Sequence, residues 1–365
     1  MSYCLPFAAI DTAVFPDSYA IGRQRWLAQL DKFSCPMQYL LYPCNGSGPE
    51  GEELATDTVW IGPADASKVL VLLGGTHGVE GFAGSAVQID QLALIAKGLV
   101  IIPVDTAVLI VHALTPWGYA WQRRCDQDGV DLNRNSVDFS RPLPENKDYD
   151  LLKDTFYLPD AAQRKIVLAE FEQQHGRVAL EKAVSGGQYS DPSGPFYGGK
   201  VPAHGRIVCE DLMHRYALQD RDLAVIDLHT GLGSYGYGEI ICDHRPDSVG
   251  THVAYRWYGD SVALPFLGTS SSVPKNGLLD YAWHAIMNDR SCYVTLEFGT
   301  FSTDQLFEVL LRDHQLWVGP DNQQARLEHS KIMLHHFYPD DQAWREMVLF
   351  RARQVIAQGL QGVSF

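Results

Sequence analysis

Three short apolar runs, each closed by a polar side chain and glycine, constrain this chain most. Val69-Leu70-Val71-Leu72-Leu73 leads into Gly74-Gly75-Thr76-His77-Gly78-Val79-Glu80-Gly81. Leu223-Ala224-Val225-Ile226-Asp227-Leu228 leads into His229-Thr230-Gly231-Leu232-Gly233, and Cys292-Tyr293-Val294-Thr295-Leu296 into Glu297-Phe298-Gly299-Thr300. Continuous apolar runs of this length, rich in branched residues, are buried strands of a parallel sheet. Helical patterns alternate with them: Tyr19 to Phe33, Phe82 to Ile95, Leu151 to Val184 with a break near Pro159, Arg206 to Leu218, Asp304 to Leu316 and about Asp341 to Gly359. Strand alternating with helix predicts an α/β protein, a three-layer α/β/α sandwich around a mixed, mostly parallel sheet. No repeat or linker divides the chain, so residues 1–365 are read as a single domain. Met37 to Tyr42 and Thr56 to Ile61 read as a hairpin across the turn Asn45 to Gly51. Leu99 to Pro103 and Ala107 to Val111 read as further strands. Asp17 or Ser18 is placed to cap the first helix, and Thr303 the helix at Asp304.

Composition narrows the function. A formal charge of −15 argues against nucleic acid and anionic membrane surfaces as partners. Leu92 to Val111 is the most apolar long stretch, but Lys97, Pro103 and Asp105 interrupt it and argue against a membrane span. Met1 to Pro6 lacks the basic start and apolar core of a signal peptide. Seven scattered cysteines, with no Cys-x-x-Cys, suggest reduced thiols and the cytoplasm.

If the three strands are neighbours, their ends crowd His77, Glu80, His229 and Glu297 onto one edge of the sheet, where open α/β sheets bind ligands. Of the 13 histidines only His77 has Glu three residues on; His244 has Asp247, but across Pro246 in a polar loop. Alone, a loop histidine and a helix-start glutamate serve equally well to cap and to complement a helix dipole. With His229 they make two imidazoles and a carboxylate, a catalytic zinc set that leaves a position for water. Glu297 then stands as the general base. A second cluster holds Arg123-Arg124 and Asp131-Leu132-Asn133-Arg134-Asn135. An arginine beside the metal can steady an oxyanion, Asn-Arg suits a substrate carboxylate, and Asp131 can accept the outer N–H of a zinc-bound histidine. Asp126, Asp128 and Asp131 do not have the spacing of an EF-hand.

Four phrases carry a resemblance: Gly75-Thr76-His77-Gly78-Val79-Glu80-Gly81, Val130-Asp131-Leu132-Asn133-Arg134-Asn135, Asp227 to Gly233, and Glu297-Phe298-Gly299-Thr300. In this order, over roughly Glu52 to Thr300, they resemble the zinc carboxypeptidase superfamily. More narrowly they resemble its carboxypeptidase-like branch of unknown function, and more distantly the aspartoacylase and succinylglutamate desuccinylase group. The resemblance implies a single zinc held by His77, Glu80 and His229, with Glu297 as base and proton shuttle. It places the oxyanion arginine at Arg124 or Arg123, with Arg124 preferred by its distance from Asn133, and gives the substrate carboxylate to Asn133 and Arg134. Thr115-Pro116-Trp117-Gly118 departs from the Asn-Pro that the branch usually carries before its Tyr-Gly. Tyr281 is the nearest candidate, by order alone, for the mobile tyrosine of digestive carboxypeptidases.

The expectation is a zinc-dependent amide hydrolase acting on a short peptide or peptide-like molecule with a free carboxylate. The alternatives are an N-acyl amino acid deacylase and a non-enzymatic, metal-stabilised anion-binding protein. A Ser-His-Asp hydrolase is disfavoured because no Gly-x-Ser-x-Gly elbow is present. Ligand type leaves zinc, cobalt and manganese open, and the oligomeric state is not legible.

Overall fold

The computed structural model describes residues 9–158 and 160–364. The reading of Met1 to Pro6 and the break expected at Pro159 lie outside the described residues. Eight strands, β1 (Met37–Ser47), β2 (Glu53–Ile61), β3 (Lys68–Gly74), β4 (Thr106–His112), β5 (Asp222–Gly231), β6 (Gly238–Ile241), β7 (Val262–Ala263) and β8 (Cys292–Gly299), form a single sheet. Their order is β1-β2-β4-β3-β5-β8-β6-β7. The centre, β4-β3-β5-β8, is parallel throughout. β1, β2 and β6 attach antiparallel, and β7 pairs parallel to β6.

Side chains alternate across this sheet, as a period of two requires. Leu70, Leu72, Val108, Ile110, Ala224, Ile226, Val294 and Leu296 face one layer, which contains the helices Tyr19–Leu30, Gly81–Ala96, Val249–Tyr258 and Gln342–Ser364. Val69, Val71, Leu109, Val111, Leu223, Val225 and Tyr293 face the helix His204–Arg215 and the short helix Asp280–His284. A third apolar cluster, including Val79, Phe156, Leu168, Leu180, Phe196, Leu306 and Phe337, gathers the helices Lys147–Phe156, Ala161–His175, Arg177–Ser185, Thr303–Val318 and Gln323–Phe337. Through Val79 it packs against the loop that follows β3.

The predicted architecture is therefore the observed one, with local corrections. Residues 99–103 form no strand. Gly98 turns with φ +68°, Pro103 has no N–H to give a ladder, and Ile101 is 71% exposed. The stretch read as one broken helix from Leu151 to Val184 is three helices, separated at its second break by Gly176 with φ +87°. Ser302, not Thr303, caps the helix Thr303–Val318, and with Gln305 it closes a capping box. Ser18, not Asp17, caps the first helix. The helices Val249–Tyr258 and Gln323–Phe337 were not anticipated. Among the described residues six cysteines are free, and no helix is long and apolar enough to cross a membrane.

Candidate metal centre and its cavity

The parallel pairing of β3, β5 and β8 brings the three strand ends to one edge, with His229 directly opposite Glu297. His77 and Glu80 come from the loop after β3. That loop is sewn to residues 113–124 through backbone bonds: Leu114 N to Gly74 O, Thr115 N to Gly75 O, Gly78 N to Arg124 O and Val79 N to Arg123 O. Thr115 Oγ1 adds a bond to Thr76 O at 2.9 Å. The segment Thr115 to Gly118, where the sequence departs from the resemblance and which opens the short helix Pro116–Ala120, thus lies directly against the ligand loop. Glycine is required at position 78, because a Cβ there would stand 2.1 Å from the carbonyl carbon of Gly118.

Glu80 occupies the N-cap position of the helix Gly81–Ala96, yet its side chain caps nothing. It turns instead to the histidines, with Oε1 2.8 Å from His77 Nδ1 and Oε2 2.9 Å from His229 Nδ1. The two Nδ1 atoms are 3.2 Å apart. Their outer nitrogens meet aspartates. His229 Nε2 donates to Asp227 Oδ2 at 2.8 Å, and His77 Nε2 lies 3.2 Å from Asp131 Oδ1, short of good hydrogen-bond alignment. Asp227 also accepts from Thr76 Oγ1 and the Tyr293 hydroxyl. An imidazole that gives its Nε2 proton to a carboxylate has a lone pair at Nδ1. The Nδ1 atoms of His229 and His77 and the Glu80 carboxylate converge on one point and form a site for a cation. A tetrahedral ion with bonds of about 2.0–2.1 Å spaces its ligands about 3.3 Å apart, close to what these side chains adopt. All three ligand-type residues are buried. Burial opposes ionisation of Glu80, but His77 and His229 outweigh it and hold its carboxyl below the ordinary range.

Glu297 lies beside this trio without joining it. Leu232 N donates to its Oε1 at 2.9 Å. Burial first, then the Glu80 charge, raises its pKa to about 7, against the pull of His229 and Arg124. Arg124 gives Nε to Asp131 Oδ2 at 2.9 Å and sets NH1 3.3 Å from Glu80 Oε1. Arg123 faces elsewhere, paired with Asp313 at 2.8 Å and stacked over Trp317. Of the two arginines only Arg124 lines the cavity.

That cavity has a volume of about 410 Å³ and is also lined by Asn133, Arg134 and Lys275. Leu279 N donates to Asn133 Oδ1 at 2.8 Å, while Asn133 Nδ2 donates to no described residue. Arg134 gives Nε and NH2 to Ser185 O and NH1 to its neighbour's carbonyl. No described carboxylate pairs with Arg134 or Lys275 within 4.0 Å. Burial lowers the Lys275 pKa to about 8. Phe196, from the long loop after Gly186, supplies part of the cavity wall, so that loop faces the site. Tyr281 does not line the cavity; its hydroxyl donates to Lys275 O at 3.1 Å. Asp227, Tyr293 and Lys275 escaped the sequence reading. Asp227 had a signal, since residues two apart on a strand share a face.

A family model described as "Protein of unknown function (DUF2817)" matches residues 15–351. The chain belongs to the DUF2817 family. No curated protein matches it. Among solved structures, carboxypeptidase A from Helicoverpa armigera is similar at 14% identity and TM-score 0.50, over 94% of this chain and 73% of that one. Thrombin activatable fibrinolysis inhibitor is similar at 12% and 0.49, over 94% and 74%. An aspartoacylase family protein from Mesorhizobium loti is similar at 14% and 0.39, over 79% and 69%. The similarity to the Helicoverpa armigera structure shows that the DUF2817 chain has the carboxypeptidase fold.

Proposed function

We propose that this DUF2817 protein is a zinc-dependent hydrolase of an amide bond, acting on a short peptide or peptide-like molecule with a free carboxylate. The observation that carries the reading is the convergence of His77, Glu80 and His229 beside a separate buried glutamate, in a cavity where Arg134 and Lys275 pair with no described carboxylate. A zinc ion held by the trio supplies electrophilic activation of water and of the scissile carbonyl. The remaining work falls to the chain. Arg134 and Asn133 hold the substrate carboxylate through a guanidinium and the amide Nδ2, with Lys275 adding positive charge beside them. Glu297, with a pKa near neutrality, takes a proton from the attacking water and passes it to the leaving nitrogen. Arg124 offers N–H donors to the oxygen that gains charge as water adds. Asp227 and Asp131 keep the two histidines in the orientation that points Nδ1 inward.

A second reading, an N-acyl amino acid deacylase, is favoured by one feature. Leu168, Leu180, Val184, Phe196, Leu306 and Phe307 give the cavity an apolar wall that suits an acyl chain. Both readings share the carboxylate site and the base. The test measures zinc by elemental analysis and turnover of N-blocked dipeptides against N-acyl amino acids. About one zinc per chain is expected, with Glu297→Gln keeping the metal and losing about 10²–10⁴-fold in kcat. Peptide turnover selects the first reading and exclusive acyl amino acid turnover the second. Zinc-loaded protein that cleaves neither class overturns both.

A further inference from the structure

Two carboxyl groups in the same cavity have no role in the chemistry above. Asp280 opens the short helix Asp280–His284 and is 4% exposed; Asp243 follows β6. Both line the cavity that contains Glu297, Asn133 and Arg134. The Oδ1 atom of each is buried and accepts no hydrogen bond from any described residue. The nearby base cannot neutralise them. His284 Nε2 is 3.9 Å from Asp280 Oδ2, and burial against the stacked ring of His244 drops the His284 pKa to about 2. Lys275 bears on both carboxyls electrostatically, but its Nζ donates to Ser272 Oγ and Val273 O and pairs with neither. Burial pushes both carboxyls up, Asp243 to about 6 against the pull of Lys275 and Arg134, and the Asp243 charge raises Asp280 further.

A buried carboxyl oxygen without a donor is costly and uncommon. Two of them lining one cavity call for a ligand group that brings several N–H donors and positive charge. Leu278 and Val273, both buried and lining the cavity, offer apolar surface for the stem of such a group. We propose that Asp243 and Asp280 form a subsite for a basic side chain, ammonium or guanidinium, on the residue whose carboxylate is held by Asn133 and Arg134. The placement of that carboxylate rests on the hydrolase reading; the acid pair does not. Arg134 and Lys275 then serve the carboxylate end, and the two aspartates the far end of the same amino acid.

The test compares zinc-loaded protein on N-acylated substrates that end in lysine, arginine, norleucine or glutamate. Lysine and norleucine differ by an ammonium on a similar stem. A single charge-assisted bond predicts kcat/KM for the lysine substrate about 10–100-fold above norleucine, expressed mainly in KM. The lysine-to-norleucine ratio should fall toward one in Asp243→Asn and in Asp280→Asn, and Asp243→Lys should turn preference toward glutamate. Because the ratio is internal to each variant, a partial folding defect does not mimic the effect. If Asp280→Asn does not fold, the two Asp243 variants decide. Binding of free L-lysine and L-norleucine by calorimetry gives a readout without turnover. Equal or better use of norleucine by the native chain, or a ratio unchanged in the variants, overturns the subsite. Lysine binding above norleucine without any cleavage overturns the hydrolase reading and keeps the subsite. Neither cleavage nor lysine binding overturns both.

Discussion

His77, Glu80 and His229 form one buried group of ligand-type side chains within 4.8 Å of one another, and Cys125, Asp313 and His314 form another. In the second, Asp313 Oδ2 accepts from Nε of Arg123 at 2.8 Å and lies 2.8 Å from its NH2, and Trp317 covers the guanidinium at 4.5 Å. Burial pushes the Cys125 thiol up to about 12 and drops the His314 pKa to about 4, so both are neutral near pH 7. The one carboxylate already has its cation. In the first group Arg124 spends its closer bond on Asp131 and only reaches Glu80 at 3.3 Å. Two inward nitrogens and a carboxylate are left facing each other. Residue type therefore does not mark a metal site. What marks it is a charge balance left open at the point where the donors meet, and adjacent arginines of opposite aim decide which cluster is open.

The difference can be broken most sharply at the metal itself. His229→Ala should lower bound zinc from about one per chain to near zero, while Cys125→Ser keeps it; elemental analysis showing the reverse would invert the assignment. Arg123→Ala should next cost about 3–5 kcal/mol in denaturant unfolding, because Asp313 is left charged and buried, with zinc content unchanged. A smaller effect is expected at Asp227. Asp227→Asn should weaken zinc binding about 10–100-fold in a chelator competition, whereas a change at Asp313 should leave that affinity alone. The smallest effect concerns Lys275. Its pKa falls from 10.5 to about 8 in the folded chain, so its charge opposes folding fully below pH 8, and this opposition fades as pH rises toward 10.5. Lys275→Met should thus raise the melting temperature slightly at pH 7, and the gain should shrink by pH 10. A gain that grows with pH would show that a partner holds the lysine charged.

Much of this arrangement was legible because it lies on strands. The apolar runs before His77, His229 and Glu297 state their own burial, and parallel pairing follows from alternation with helices. His77, Glu80 and His229 meet as expected, and Arg124, not Arg123, reaches them. The wall around them was less legible. Lys275, Asp243 and Asp280 sit in a loop, just after the short strand β6 and at the start of a five-residue helix, and only the tertiary fold makes them neighbours. Residues 99–103 show the converse, an apolar run that no neighbouring strand accepts. Composition gave it strand character, while Gly98 and Pro103 set a backbone that cannot continue the sheet.

The fit of Gly78 against Gly118 has a kinetic consequence. Backbone meets backbone there with no space for a methyl group, and four main-chain bonds fasten the loop on either side. His77 and Glu80 are therefore held by the fold, not by whatever they bind. An ion should enter and leave a ready-made cradle without the chain rearranging around it. Stripping the ion and restoring it should then recover the native spectrum as fast as the ion arrives, with no slow refolding phase to wait for.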